Sequence, residues 1–290
     1  MAEAPLYVKL LMFFFVVVYM VSVTMETTRG EIVTALNDRR RMGLALLANL
    51  VIVPILGFVL VRLFDLRPEI RIGLMMLAVS PGGLFALQFA RVSKGNRVFA
   101  VALLIILSVL AILITPVLAY WFFHKGGPVG APLAWLVVLF LLLIAGPLLL
   151  GRALQILFPE VAPKLGRRLG LFSIAVFITA ALVSGRFKTP ALEVIGTDGI
   201  VAIAVLTVVC WAVGWILGGP EIKNRKVLAI STAMRNFGVC VPLANHYFSG
   251  NEGVIATILA YSAISIPMNM VFALVTGKML RDLPGSAGSA

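Results

Sequence analysis

Acidic side chains are scarce in this sequence: 290 residues hold 12 Asp and Glu against 24 Lys and Arg, and charges of both signs make up 12% of the chain. A water-soluble domain carries about a quarter of its residues as charges, so a soluble globular fold is excluded. Cysteine and histidine number two each. Cys210 and Cys240 both fall within apolar runs, which excludes a disulfide framework and a CxxC metal site. HExxH, GxSxG and a pair of Asp residues inside an apolar run are all missing, so neither an enzyme nor a bound metal or cofactor is expected. Loops are too short to hold a soluble signalling domain.

What the chain has is apolar length. Hydrophobic residues make up 61% of it and its mean hydropathy is +1.08, so lipid is the main solvent. Runs near the twenty residues that cross a bilayer as helix lie at 7–25, 42–62, 72–91, 98–123, 132–151, 169–186, 199–217, 227–247 and 253–277. The first run has one lysine ahead of it and no small-residue cleavage pattern before MetGluThrThr, so it reads as a retained span rather than a signal peptide. The closing residues 285–290 read as an added tail outside the fold.

Cations sort by loop. The loops after spans 1, 3, 5 and 7 and the C-terminal tail hold sixteen Lys and Arg, and the loops after spans 2, 4, 6 and 8 hold six. By the positive-inside rule the N-terminus is outside and the C-terminus cytoplasmic. The net charge of +12 therefore belongs to basic loops beside anionic lipid and not to a nucleic-acid interface. Lys9 and Arg235 remain. Lys9 is near enough to a span end to snorkel, which leaves Arg235 as the cation in the middle of a span.

Shifted on itself by 155 residues, the chain pairs SPGGLFALQFARVSKGN from Ser80 with RNFGVCVPLANHYFSGN from Arg235, bringing Gly83 to Gly238, Gly95 to Gly250 and Asn96 to Asn251. The copies sit five spans apart and so cross the bilayer in opposite senses, an inverted-topology repeat. Pro81, Gly82 and Gly83 break span 3, and Asn236, Gly238 and Pro242 break span 8. Non-helical backbone at that depth needs protein or a wet cavity around it, and a pair of breaks in corresponding places points to a central binding site.

At these residues, with LysGlyAsn at 94–96, ThrPro at 115 and 116, MetArgAsnPheGly at 234–238 and the last span around Asn269, the sequence resembles the bile acid:sodium symporter family of secondary carriers, in a nine-span form lacking the first of ten. The resemblance implies an all-α integral membrane fold with an inverted repeat, residues 1–284 forming one transmembrane domain. A core of spans near 42–123 and 199–277 would carry two broken helices crossing at the midplane. A panel of spans near 7–25 and 132–186 would flank it, with substrate bound in the cleft between and alternating access by rigid motion. The location implied is a bacterial inner or plasma membrane.

The family's sodium-using members have Ser-Asn where this chain has Ala86 and Leu87, and Ser and Thr on the next helix where it has Ala100 and Leu104. Their second broken helix reads Glu-x-x-x-Gln-Asn, here Ser231 to Arg235 and Asn236. A further glutamine aligns with Asn49. Sodium asks for several oxygens to replace its water, and every acid of the chain lies outside the apolar runs or at their ends. Sodium is therefore not expected as a partner. Proton coupling meets the same gap, since Arg holds its proton and His124 and His246 lie near span ends.

Arg235 then reads as a tethered replacement for the ion. A central Arg costs about 2.5–3.5 kcal/mol on insertion scales and needs partners: carbonyls freed by the ProGlyGly break, Asn49, Ser80, Ser231 or an anionic substrate. Two roles stay open, a latch on backbone carbonyls and a direct contact with substrate. Candidate substrate-binding residues are Arg235, Asn236, Asn269, Ser80, Gln88 and Ser265, with Tyr261 and Ser262 nearby. Each could equally join helices by hydrogen bonding. The expected function is transport of a small organic anion without bound sodium, by uniport or exchange. The alternatives are a sodium-coupled symporter of organic or bile acids with a modified ion site, and a non-transporting sensor or scaffold.

Overall fold

The computed structural model describes residues 6–28, 30, 33, 37–123, 138, 141–183, 190–248 and 251–278. His124, Lys125, Arg186, Lys188, Gly250 and the side chains of Lys9, Pro242 and His246, all used in reading the sequence, lie outside the described residues.

Every regular element among the described residues is helical. In chain order they are α1 (Leu6–Met25), α2 (Arg39–Leu63), α3 (Pro68–Ala78), α4 (Ala86–Val92), α5 (Arg97–Phe123), a widened i→i+5 turn at Leu141–Ala145 that leads into α6 (Gly146–Leu157), α7 (Ala162–Val183), α8 (Pro190–Leu217), α9 (Ile222–Ala233), α10 (Phe237–Tyr247) and α11 (Glu252–Lys278). By length and composition, three stretches among the described residues can cross a membrane: α2, residues 191–217 of α8, and α11. Shorter apolar helical stretches occur at Phe13–Met25, Arg97–Ala111 and Gly146–Leu157.

Local chemistry sets the ends. Asp38 caps α2, its carboxylate accepting from Arg41 N at 3.0 Å. α3 opens on Pro68, where the missing N–H would have had no helical partner. α8 is interrupted at Gly196, whose φ is +64°. α1 packs chiefly on α6 and α7, whereas α8 packs on α9 and α11, and α3 on α11 and α2.

Both expected breaks are present, with unequal lengths: residues 79–85 separate α3 from α4, and 234–236 separate α9 from α10, while Pro242, expected to help break span 8, lies inside α10. Gly82 turns the first with φ +83°. The second is short because Asn236 restarts the helix at once, its side-chain oxygen accepting from Val239 N at 3.3 Å. Gly238, expected in the crossover, therefore sits in the first turn of α10. The breaks pair with each other: Gly83 N donates to Met234 O at 3.1 Å and Asn236 N to Ser80 O at 3.0 Å.

Lys226 departs from its place in the loop tally. It lies within α9 with no exposed surface, its ammonium donating to Ser93 O at 3.2 Å and to Thr276 O. Those carbonyls stand at the C-terminal ends of α4 and α11, where a cation is favoured.

Candidate functional site

Helix α3 stops at Ala78 and leaves carbonyls at its end short of helical donors, although Leu77 O still accepts from Ser80 N at 3.1 Å. Each has found a substitute. Met76 O accepts from Cys240 Sγ at 3.4 Å, Leu77 O from Arg235 Nε at 3.0 Å and Ala78 O from Arg235 Nη2 at 2.6 Å. Val79 O accepts from Thr115 Oγ1 at 3.2 Å, and Ser80 O from Asn236 N. α9 ends in the same condition: Thr232 O accepts from Arg235 Nη1 at 3.5 Å, Ala233 O from Tyr261 Oη and Met234 O from Gly83 N.

A third source of free oxygen lies in α2. Its hydrogen bonding widens to the i→i+5 pattern over Ala48–Ile52, and Val53 N donates to Ala48 O. In that register the donor owed to Asn49 O would come from Pro54, which has no N–H. Arg235 Nη2 takes the place at 3.4 Å, while Nη1 donates to Asn49 Oδ1 at 3.1 Å. Asn49 Nδ2 donates to Ala45 O at 3.0 Å, which fixes which end of the amide faces the arginine.

The guanidinium of Arg235 thus makes five hydrogen bonds, equal to its five N–H donors, all to neutral oxygens and two of them at the negative end of α3. It has no exposed surface. Among the described residues no carboxylate pairs with it. Its partners include Asn49 and the carbonyls ahead of the ProGlyGly break, as expected, but neither Ser80 nor Ser231. With every donor occupied, the side chain offers a substrate nothing in this conformation. Asn49→Leu would leave one charged N–H unmatched, and is expected to lower stability by about 1.5–3 kcal/mol, read as a fall in the thermal midpoint in detergent.

The other candidates divide. Asn269 has no exposed surface: Oδ1 accepts from Trp211 Nε1 at 2.9 Å and Nδ2 donates to Ser265 O at 2.8 Å, so it ties α11 to α8 rather than facing a cleft. Tyr261 is likewise committed to Ala233 O. Ser80 Oγ, Ser265 Oγ and Asn236 Nδ2 are buried with no hydrogen-bond partner among the described residues. Gln88 is half-buried on α4 beside Tyr19. Ala86, Leu87, Ala100 and Leu104 are buried apolar side chains with no oxygen to offer a cation, and only Asn49 and Ser231 of the corresponding set carry one.

Reading the sequence missed the aromatic group beside the breaks. Phe15 on α1 and Phe177 on α7 meet Phe85 with ring centroids 5.6 and 4.9 Å away, and Phe177 meets Phe237 at 6.1 Å. Phe85 stands two residues after ProGlyGly and Phe237 follows ArgAsn directly, which was the available signal. Pro54, five residues after Asn49, was the signal for the freed carbonyl.

Comparison with known proteins agrees with an arrangement built for transport. An uncharacterised sodium-dependent transporter of Bacillus subtilis is 26% identical over 226 residues, covering 75% of this chain and 68% of its own. Two probable chloroplastic sodium/metabolite cotransporters of rice, Oryza sativa subsp. japonica, are 24% and 22% identical over 237 and 274 residues. They cover 79% and 91% of this chain, which spans 55% and 64% of theirs. Residues 10–192 match the model of the Sodium Bile acid symporter family, and the chain, an integral membrane transporter and not an enzyme, belongs to that family.

Proposed function

We propose that the protein is a secondary carrier of small organic anions that works by alternating access without bound sodium, as a uniporter or exchanger. The observation that carries this reading is the saturated guanidinium of Arg235 at the junction of α2, α3 and α9. A fixed cation there holds the carbonyl ends that a mobile alkali ion would otherwise bridge, and it need not bind and leave in each cycle. The apolar Ala86, Leu87, Ala100 and Leu104 support the same reading. So does the packing of α1 chiefly on α6 and α7, which fits a panel moving against a core. We take the chain as the nine-span inverted-repeat form with its C-terminus in the cytoplasm.

A monovalent anion crossing alone is biased outward by about 2.3 kcal/mol per 100 mV of inside-negative potential, roughly 50-fold, so export or exchange is favoured over uphill uptake. In proteoliposomes, initial rates of organic-acid flux are expected to agree within about twofold when sodium is replaced by choline at constant potential. Strict sodium dependence would overturn the reading. It would favour the second one, a sodium-coupled symporter with a modified site, for which the names of the relatives speak.

A further inference from the structure

A second polar cluster lies where α1 ends. Glu26 follows the last turn of α1, and its side chain is 3% exposed. Arg91 Nη2 on α4 donates to Glu26 Oε2 at 2.5 Å. Arg97 Nη2, at the start of α5, stands 3.6 Å from the same oxygen and donates to Glu26 O at 3.1 Å. On the other side α7 makes room: a Cβ on Gly166 would come within 3.1 Å of Glu26 Cγ. The carboxylate therefore rides with α1 and α7 while both guanidinium groups belong to the helices that follow the first break.

Two turns earlier on the same face of α1 is Tyr19, with no exposed surface. Its hydroxyl is buried and makes no hydrogen bond of normal geometry among the described residues, although Gln88, Arg91 and Glu26 are its polar neighbours. An idle buried hydroxyl forfeits a bond it would make in water, and here it sits among groups that suit a carboxylate: two guanidinium groups, a phenol and a half-buried amide. The cluster has a formal charge of +1 with Glu26 ionised. Phe15 and Phe85 lie beside it, ready to cover an apolar body.

We propose that Tyr19, Gln88, Arg91 and Arg97 form a carboxylate-binding station at this end of the cleft, closed in the present conformation by Glu26. An organic carboxylate entering there replaces Glu26 on the arginines and lets α1 and α7 part from α4 and α5. Separation with nothing in exchange would part both guanidinium groups from Glu26, the buried member, and leave the charges unpaired, which is unfavourable. A substrate carboxylate keeps the charge-assisted hydrogen bonds in number, so the end opens when loaded and stays shut when empty, as exchange requires. The proposal rests on the organic-anion reading above and gives it an entry site.

The test places a reporter cysteine at Val16, a partly buried residue of α1 beside Gly238, in a chain carrying Cys210→Ala and Cys240→Ala. A membrane-impermeant maleimide is applied from the face bearing Arg91 and Arg97, with benzoate or with chloride at equal ionic strength. Benzoate is expected to speed labelling about tenfold, the equivalent of one modest charged hydrogen bond. Glu26→Gln should label at the fast rate without benzoate and gain nothing further from it. Glu26→Asp, which keeps the charge with a shorter reach, should label at an intermediate rate and serves if the Gln variant does not fold. Tyr19→Phe, which removes one donor of the station and leaves Glu26 and both arginines in place, should lose most of the benzoate response. Equal labelling in benzoate and chloride, or Glu26 variants that label as slowly as the parent, would overturn the station. Labelling needs no flux, so a parent that labels as expected yet carries no organic acid would overturn the carrier reading instead.

Discussion

Arg235→Ala is expected to lower the unfolding free energy by about 3–5 kcal/mol, the range for removing one member of a buried charged network. The loss is large because the arginine is the donor for oxygens on three separate segments: Leu77 and Ala78 before the first break, Asn49 in α2 and Thr232 before the second. Leu77 O keeps a backbone donor in Ser80 N at 3.1 Å, but the others have no helical donor to fall back on. The substitution also leaves a space lined by carbonyl oxygens at the negative end of α3, and such a space suits a hard cation. Guanidinium ion at tens of millimolar is therefore expected to restore much of the thermal midpoint of Arg235→Ala and leave the wild type unmoved. Sodium should show the same preference for the variant over the wild type. A variant as stable as wild type, or one that neither ion stabilises, would show that the side chain is not holding an ion's place. Arg235→Lys tests geometry with charge kept: three donors on a compact ammonium cannot meet five oxygens, so recovery should be partial.

Much of this was legible in the sequence because the chemistry is local. Pro81 followed by two glycines puts a missing donor beside two poor helix formers, so the first break was readable from that triplet, whereas single prolines at 242 and 267 lie inside α10 and α11. A guanidinium in hydrocarbon must have acceptors, so carbonyls freed by the break stood among the expected partners of Arg235, beside Asn49, Ser80, Ser231 and an anionic substrate. Which carbonyls form the cage did not follow. The widened turn at Ala48–Ile52 depends on how α2 packs, and only its outcome makes Pro54 free the oxygen of Asn49. Lys226 reads as a loop cation because Lys223 and Arg225 stand beside it, yet a lysine can be buried wherever helix ends supply oxygens. Glu26 was placed at a span end, and nothing in its neighbours along the chain points to Arg91 or Arg97, which reach it across the fold. Asn269 fits a cleft by type and position. Trp211, on another helix, claims it.

The 155-residue shift that pairs Gly83 with Gly238 in the sequence gives the two residues equal standing, and the structure separates them. A Cβ on Gly83 would fall 2.5 Å from Met234 O and 2.6 Å from Met234 C. Those are backbone atoms of the opposing break, and they are held in place by the hydrogen bond from Gly83 N itself. Neither strand can yield without losing that bond and, one residue away, the grip of Arg235. Gly83→Ala is therefore expected to destabilise by about 3 kcal/mol or more, at the upper end for overpacking a tight contact, and to abolish flux. Gly238→Ala meets nothing closer than Asn236 Oδ1 at 3.5 Å, an ordinary contact, inside the first turn of α10. It exchanges a poor helix former for the best one, so its stability should stay within about 1 kcal/mol of wild type or rise. Thermal midpoints and flux of the two variants, measured side by side, decide the matter. Equal damage at both sites would mean that the breaks meet symmetrically, with Gly238 in the crossing. Damage at Gly83 alone would place the crossing at Gly83 and Met234, where the main chains touch.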